Sequence, residues 1–220
     1  MRIVAIPDIH TRAENLHDIA QPIGNADILL LPGDMTNGGT NSVVAMQKVL
    51  DILEPMNKHI YTVPGNMDTD EILEMTTQLG INLHRRHIIV DGVAFCGLGG
   101  ALPFFGKFVF SEAVLADYLN ESISGLPVGM PFVLVSHQPP YGTVCDLIDN
   151  GEHVGSQAVR GFIEQHQPLA CFCGHIHTGI GKDLIGNSVI LNPGRFSESR
   201  RYAMAMIENG QLIEADIVSA

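Results

Sequence analysis

The sequence predicts an α/β protein in which a mostly parallel sheet carries helices and is followed by a second, mixed sheet. Three observations carry this. Short runs rich in Val, Ile and Leu alternate with segments of helical period at least three times before residue 80. Each run ends in a turn signal with polar residues, the pattern of βαβ units, whose crossovers are right-handed. After Gly174 the rhythm changes to closely spaced short strands.

In chain order, residues 2–7 read as the first strand and 12–21 as the helix after it. Residues 27–31 form the second strand and 41–53 the second helix, where Val43, Met46, Leu50 and Leu53 keep helical spacing. Strand 59–63 leads into helix 70–78. Residues 87–90 and 93–96 flank Asp91-Gly92, the dipeptide that a type I′ hairpin favours. Helices 112–122 and 157–165 alternate with strands 131–136 and 169–173. Strands 180–185, 188–191 and 202–207 follow, and Asn209-Gly210 turns the chain into a last strand, 211–218. On this reading the closing meander builds the second sheet. No repeat, low-complexity tract or linker interrupts the chain, so residues 1–220 read as one domain.

Composition narrows the function. Asp plus Glu number 24 against 12 for Lys plus Arg, a net charge of −12. A protein that neutralises phosphates along DNA or RNA needs the opposite sign, which argues against genomic nucleic acid as a main partner. Bound divalent cations would offset part of the acidity. No apolar stretch is long enough for a membrane helix and the start has no signal-peptide core, so a cytoplasmic, membrane-free protein is expected. Cys96, Cys145, Cys171 and Cys173 are too few for a disulfide scaffold. Cys171 and Cys173 would share one face of a strand, as small buried hydrophobes.

Ligands in open α/β sheets bind beyond the carboxyl ends of the strands, and here each apolar run ends in metal-ligand chemistry. The first ends in Asp8-Ile9-His10, the second in Gly33-Asp34, the third in Gly65-Asn66-Met67-Asp68, the 131–136 run in His137, and the 169–173 run in Gly174-His175-Ile176-His177. These ends are expected at a single edge of one sheet. Imidazole and carboxylate together suit Zn, Mn or Fe. Each piece alone has a plainer reading: a capping Asp, a Gly-Asp turn, a turn with a left-handed Asn66, a solvated His-x-His edge. Their joint placement after five strands favours a metal site.

The ordered set Asp-x-His, Gly-Asp, Gly-Asn-x-Asp, a lone His after a strand and Gly-His-x-His resembles the calcineurin-like metallophosphoesterases. It spans Asp8 to His177, and Asn192-Pro193-Gly194 is also similar to small prokaryotic members. The resemblance implies a four-layer α/β/β/α sandwich with two mixed sheets and a dinuclear metal centre between their loops. It implies that Asp8, His10, Asp34 and His177 hold one metal, and that Asp34, Asn66, His137 and His175 hold the other, with Asp34 bridging. The cofactors implied are two divalent ions, Mn first, with Fe, Zn, Co or Ni as alternatives. Asp34, Asn66, Asp68 and His137 are then the candidate catalytic residues; Asp68 either orients a ligating imidazole or fixes the Asn66 loop.

One position departs from the pattern. Many members carry His directly after the Asn, where it assists the phosphoryl group or protonates the leaving oxygen; here Met67 stands there, and a thioether donates no proton. Small prokaryotic members without that His look like Mn-dependent phosphodiesterases. The leading expectation is a phosphodiesterase of small-molecule or nucleotide-like substrates. A phosphomonoesterase is the runner-up, a nuclease comes third, and a metal-bound scaffold that binds a partner protein is the non-enzyme alternative. Arg12, two residues past His10, is the candidate substrate contact; Arg195 is a weaker one. Phe104, Phe105, Phe108 and Phe110 could form an apolar rim, although a buried or dimer-facing loop is the commoner fate, which leaves a homo-oligomer open. His84, His87, His153 and His166 have no motif around them.

Overall fold

The computed structural model describes residues 1–220, and the alternation of side chains along its first strands decides the layering. In β1 (Arg2–Ala5), β2 (Ile28–Pro32) and β3 (Ile60–Val63) successive residues face opposite ways. Both faces are apolar: Ile3, Ala5, Ile28, Leu30 and Val63 enter one buried cluster, Val4, Leu29, Leu31 and Ile60 another. A sheet apolar on both faces must be covered on both. The outer cover is a 3-10 helix (Ala13–Ile19), α1 (Ala20–Asn25), α2 (Ser42–Leu53) and α3 (Asp70–Gln78), through Leu16, Ile23, Met46, Leu50 and Ile72.

The inner cover is a second sheet of β4 (His87–Val90), β5 (Val93–Leu98), β6 (Phe132–Ser136), β7 (Ala170–Phe172), β8 (Gly181–Ile185) and β9 (Ser188–Asn192), in the order β4-β5-β6-β7-β9-β8. Phe95, Val133, Val135, Phe172 and Leu191 meet the first sheet. The opposite face, with Cys96, Leu134, Cys171 and Ile190, packs on α4 (Glu112–Ser122) and α5 (Gln157–His166) through Leu115, Leu119, Val159 and Ile163. Four layers result, α/β/β/α, with mixed strand directions in both sheets. Ser111 and Ser156 cap α4 and α5 by accepting from Val114 N and Val159 N.

Four details differ from the sequence reading. The expected helix at 12–21 is a 3-10 helix over Ala13–Ile19 that passes into α1, ending at Asn25. Pro22 falls in the first turn of α1, where its missing N–H leaves no helical bond unmade, so α1 starts afresh there rather than continuing an α-helix from residue 12. Val43 is exposed, and the buried stripe of α2 is Met46, Val49, Leu50 and Leu53. The closing meander is divided between the sheets: β8 and β9 finish the second, whereas β10 (Arg201–Glu208) and β11 (Gln211–Ser219) return to the first, giving the order β11-β10-β1-β2-β3. A short helix, α6 (Phe196–Ser199), makes the crossing. Finally, β1 to β3 lie in one sheet and β6 and β7 in the other, so the five motif-bearing ends do not share one sheet edge.

Asp91 and Gly92 have φ of 48° and 78°, as a type I′ turn requires. Cys171 and Cys173 share the outer cluster with Cys96 and Cys145, all four as free thiols. Burial pushes the Cys96 thiol up to about 12, so it is no nucleophile near neutral pH. No helix is long and apolar enough to cross a membrane.

Candidate metal centre

Backbone hydrogen bonds knit the strand-end loops together before any side chain is considered. Asp8 N donates to Gly33 O (3.1 Å), His10 N to Asp34 O (3.0 Å) and Thr11 N to Met35 O (3.1 Å), while Gly174 N donates to His137 O (3.2 Å) across the second sheet. The two sheets thus present their carboxyl ends to one cleft. Asp8, His10, Thr11, Asp34 and His175 all have φ between 47° and 66°. Left-handed backbone at non-glycine residues costs free energy and is characteristic of functional sites. Asn66, left-handed only on the plainer turn reading, does not have that conformation; the strain falls on the other loops, on four candidate ligands and Thr11. Gly33 has φ of 88°, and a Cβ on it would collide with the His137 ring, so only glycine lets that imidazole approach.

The lone pairs converge. His137 Nδ1 donates to Pro32 O (2.8 Å), which leaves a lone pair on Nε2 of the neutral ring. That nitrogen stands 2.9 Å from Asn66 Oδ1, and the Asn66 amide is fixed because its Nδ2 donates to Phe105 O (2.9 Å). With Nε2 unprotonated, these two lone pairs face one another as two ligand atoms of one cation do. The same logic holds at His10: Nδ1 donates to Asn37 Oδ1 (2.8 Å), and Nε2 faces His177 Nε2 at 3.3 Å, Asp8 Oδ1 at 3.5 Å and Asp34 Oδ2 at 3.7 Å. Asp34 lies between the halves, with Oδ1 3.6 Å from His137 Nε2. Ligand atoms of Asp8, His10 and His177 lie within 4.8 Å of one another, and so do those of Asp8, Asp34 and His137. The donor set of buried imidazole, carboxylate and one amide oxygen fits hard or borderline divalent ions.

His175 joins neither group directly. Its ring centroid is 5.0 Å from that of His137, and its backbone N donates to Asp8 Oδ2 (3.1 Å). Burial, reinforced by the neighbouring His137, pushes His175 down to about 3, which keeps a neutral ring available as a ligand. Burial pushes the Asp34 carboxyl up to about 6 against the opposing pull of His137. Burial would raise Asp8 too, but the imidazoles of His10 and His177 beside it hold it below the usual carboxylate range.

The model for calcineurin-like phosphoesterases matches residues 1–179. The chain belongs to that family. An uncharacterised protein of Methanocaldococcus jannaschii, MJ1162, is 31% identical over 199 residues, 88% of either chain. One crystal structure superposes with a TM-score of 0.80 at 20% identity, covering 99% of this chain and 98% of the other. TT1561 of Thermus thermophilus superposes at 0.70 and 20% identity, covering 98% and 97%. At that identity these two structures speak for the fold.

Within this calcineurin-like phosphoesterase, Asp68 takes the loop-fixing course. It is fully buried and accepts from Thr36 N (2.9 Å), Thr36 Oγ1 (3.0 Å), Gly65 N (2.9 Å) and Met35 N (3.3 Å), which ties the Asp34 loop to the Asn66 loop. Met67 N donates to Asp34 Oδ1 (2.8 Å), so this residue contributes its backbone to the site. Arg12 is exposed, 3.8 Å from Glu14.

Asn37 and the Pro32 and Phe105 carbonyls have little signature in the sequence, whereas Asn192 stands in the Asn192-Pro193-Gly194 motif without its role showing there. Asn37 orients His10, and its only cue is its place three residues after Asp34. Asn192 is fully buried; its Nδ2 donates to Ile176 O (2.9 Å) and Cys145 O (3.0 Å), which fixes the turn bearing His175 and His177. The Pro32 and Phe105 carbonyls are backbone groups, present at every residue. The aromatic segment is itself divided: Phe108 is buried, while Phe104 and Phe105 stand out in solvent next to Asn66.

Proposed function

We propose that this phosphoesterase hydrolyses phosphodiester bonds of small-molecule or nucleotide-like substrates at a dinuclear metal centre, with Mn the favoured ion. The observation that carries this reading is the pair of facing acceptors, His137 Nε2 and Asn66 Oδ1, together with Asp34, whose two oxygens address His137 and His10 separately. Asp8, His10, Asp34 and His177 would hold one ion and Asp34, Asn66, His137 and His175 the second. Divalent ions bound there would supply Lewis acidity, to activate water and to neutralise charge developing at phosphorus. The chain's own part is preorganisation. Asn37 and the Pro32 carbonyl hold His10 and His137 with the proton on Nδ1, which aims each Nε2 inward. Asp68 sets the spacing of the Asp34 and Asn66 loops.

The diester preference rests on the resemblance to small prokaryotic family members that lack a His at the Met67 position, and Met67 itself bears on the leaving group. With a thioether where a proton donor would stand, the leaving group has to be one that departs without much help. The protein acts in the cytoplasm as one domain on this reading, on small phosphate esters.

A screen of Mn, Fe, Zn, Co and Mg against aryl phosphodiesters, aryl monoesters and cyclic nucleotides tests the proposal. Metal-dependent turnover of diesters above monoesters is expected, abolished by chelation. Hydrolysis of monoesters alone would make it a phosphomonoesterase, and no turnover with any ion would leave a metal-bound scaffold.

A further inference from the structure

Beside His10 lies a pocket of about 420 Å³ whose ten lining residues include no hydrophobic side chain. Three of the chain's 12 basic residues, Arg12, Arg195 and Arg200, line it beside two acids, Glu14 and Glu198, an excess of cations in a chain whose net charge is −12. Their commitments differ. Arg200 is used structurally: Nε pairs with Asp18 (2.9 Å) and Nη1 donates to Ser197 O (2.6 Å). Arg195 is braced on one side only, with Nε donating to Ser197 Oγ (2.9 Å) and Nη1 paired with Glu198 (2.9 Å), while Nη2 makes no hydrogen bond. Arg12 makes none at all; its nearest acid, Glu14, is 3.8 Å away.

The pocket is fixed to the metal centre. Ser197 N donates to Asp8 O (3.2 Å), and Asn15 Nδ2 donates to Ser197 O (3.0 Å), so the turn that carries Arg195 rests on the Asp8–His10 loop. His10 itself forms part of both walls, offering Nε2 to the centre while its loop borders the pocket. A planar guanidinium presents forked N–H donors that match the oxygens of a phosphate or carboxylate. Two guanidinium groups with unused donors, in a polar pocket one residue's width from the ions' ligands, match an anion covalently linked to the reacting phosphate.

We propose that this pocket is the subsite for a second anionic group of the substrate, a phosphate or a carboxylate, held by Arg12 and Arg195 while the scissile phosphate lies on the centre beyond His10. The natural substrates are then phosphate esters that carry a second anion a few atoms from the reacting phosphorus. This rests on the phosphoesterase reading above, and the test separates the two.

The Mn-loaded protein is titrated calorimetrically with three probes of similar length: propyl phosphate, propane-1,3-diol bisphosphate and 4-phosphonooxybutanoate. The expected result is that the bisphosphate, the carboxylate or both bind at least about tenfold tighter than propyl phosphate, and which of them gains identifies the second anion. Arg12→Ala, whose side chain is exposed and unbonded, and Arg195→Ala are each expected to cut that advantage to about threefold or less; Arg195→Lys keeps the charge without the fork and should fall between. Equal affinity for all three probes in the parent protein, or equal weakening of all three in the variants, overturns the subsite. If the advantage survives while no aryl diester or monoester is hydrolysed with any ion, the phosphoesterase reading fails and the anion subsite stands. If diesters are hydrolysed but the advantage is absent, the reverse holds.

Discussion

Replacing Asp68 with Asn tests how the centre is built, because it exchanges one buried acceptor oxygen for a donor and changes almost nothing in shape. Four donors converge on the carboxylate: Thr36 N and Oγ1 on one oxygen, Gly65 N and Met35 N on the other. In either amide orientation an NH2 group faces at least one backbone N–H that has no alternative partner in a fully buried place. Hydrogen bonds to charged groups are worth roughly 1.5–3 kcal/mol each, and a buried donor left unmatched adds its desolvation. Loss of one to two such bonds gives about 3 kcal/mol of destabilisation. For a chain of this size that lowers Tm by roughly 6–12 °C. Mn affinity should fall by roughly 10–100-fold, the usual cost of disturbing groups behind the ligands. Thermal unfolding with chelator present and calorimetric titration with Mn read the two effects separately. Asp51→Asn is the control, since Asp51 accepts one bond from exposed Gln47. A Tm for Asp68→Asn as close to the parent as that control's would refute the claim that Asp68 holds the loops.

Three further outcomes follow from named residues. Burial, with Arg85 beside it, pushes His84 down to about 4 from an ordinary 6.5, while Gly99 N donates to its Nδ1; the unfolded chain therefore takes up a proton that the folded one excludes, and stability present above pH ~6.5 falls by up to about 3 kcal/mol as pH drops towards 4. His84→Gln should flatten that part of the urea-unfolding profile, and an unchanged slope would show that another group is responsible. Asp34→Asn should lower metal content from two ions towards none, and Asn66→Ala towards one, as measured by elemental analysis; equal losses count against Asp34 as the bridge. Met67→His should gain selectively on alkyl phosphates, by up to roughly 10²–10⁴-fold, and change little on aryl diesters, whereas a uniform loss along the leaving-group series would mean that Met67 only packs its loop.

What the sequence discloses about this molecule follows the chemistry of side chains. Asp8, His10, Asp34, Asn66, His137, His175 and His177 were legible as a set because carboxylate and imidazole directly after apolar strands are rare in combination, and the structure gathers them in one cleft. The partners that aim them were much less legible. Pro32 and Phe105 act through carbonyl groups, Asn37 looks like an ordinary turn asparagine, and Asn192, though part of the noted Asn-Pro-Gly turn, shows its role only once its neighbours are known. Sheet membership was hidden for a different reason. Strands β1 to β3, β6 and β7 are apolar on both faces, so their alternation says that two layers cover them and nothing about which strand lies beside which.

The return of β10 to the first sheet has a consequence for how the protein is made. β1 takes β2 as one neighbour, but its other edge pairs with β10 in the register Ile3↔Ala205, and Met1 N reaches Ile207 O (2.7 Å). That edge stays bare until some two hundred further residues have left the ribosome, on the order of 10–40 s at ordinary rates of synthesis. Throughout that time β1 offers unpaired backbone groups on an apolar strand, the kind of surface on which growing chains stick to one another. Translation speed and chaperone supply, more than the equilibrium stability of the finished sandwich, should set how much soluble protein a cell obtains. A copy cut off before residue 201 should accumulate in the insoluble fraction even with every metal ligand intact.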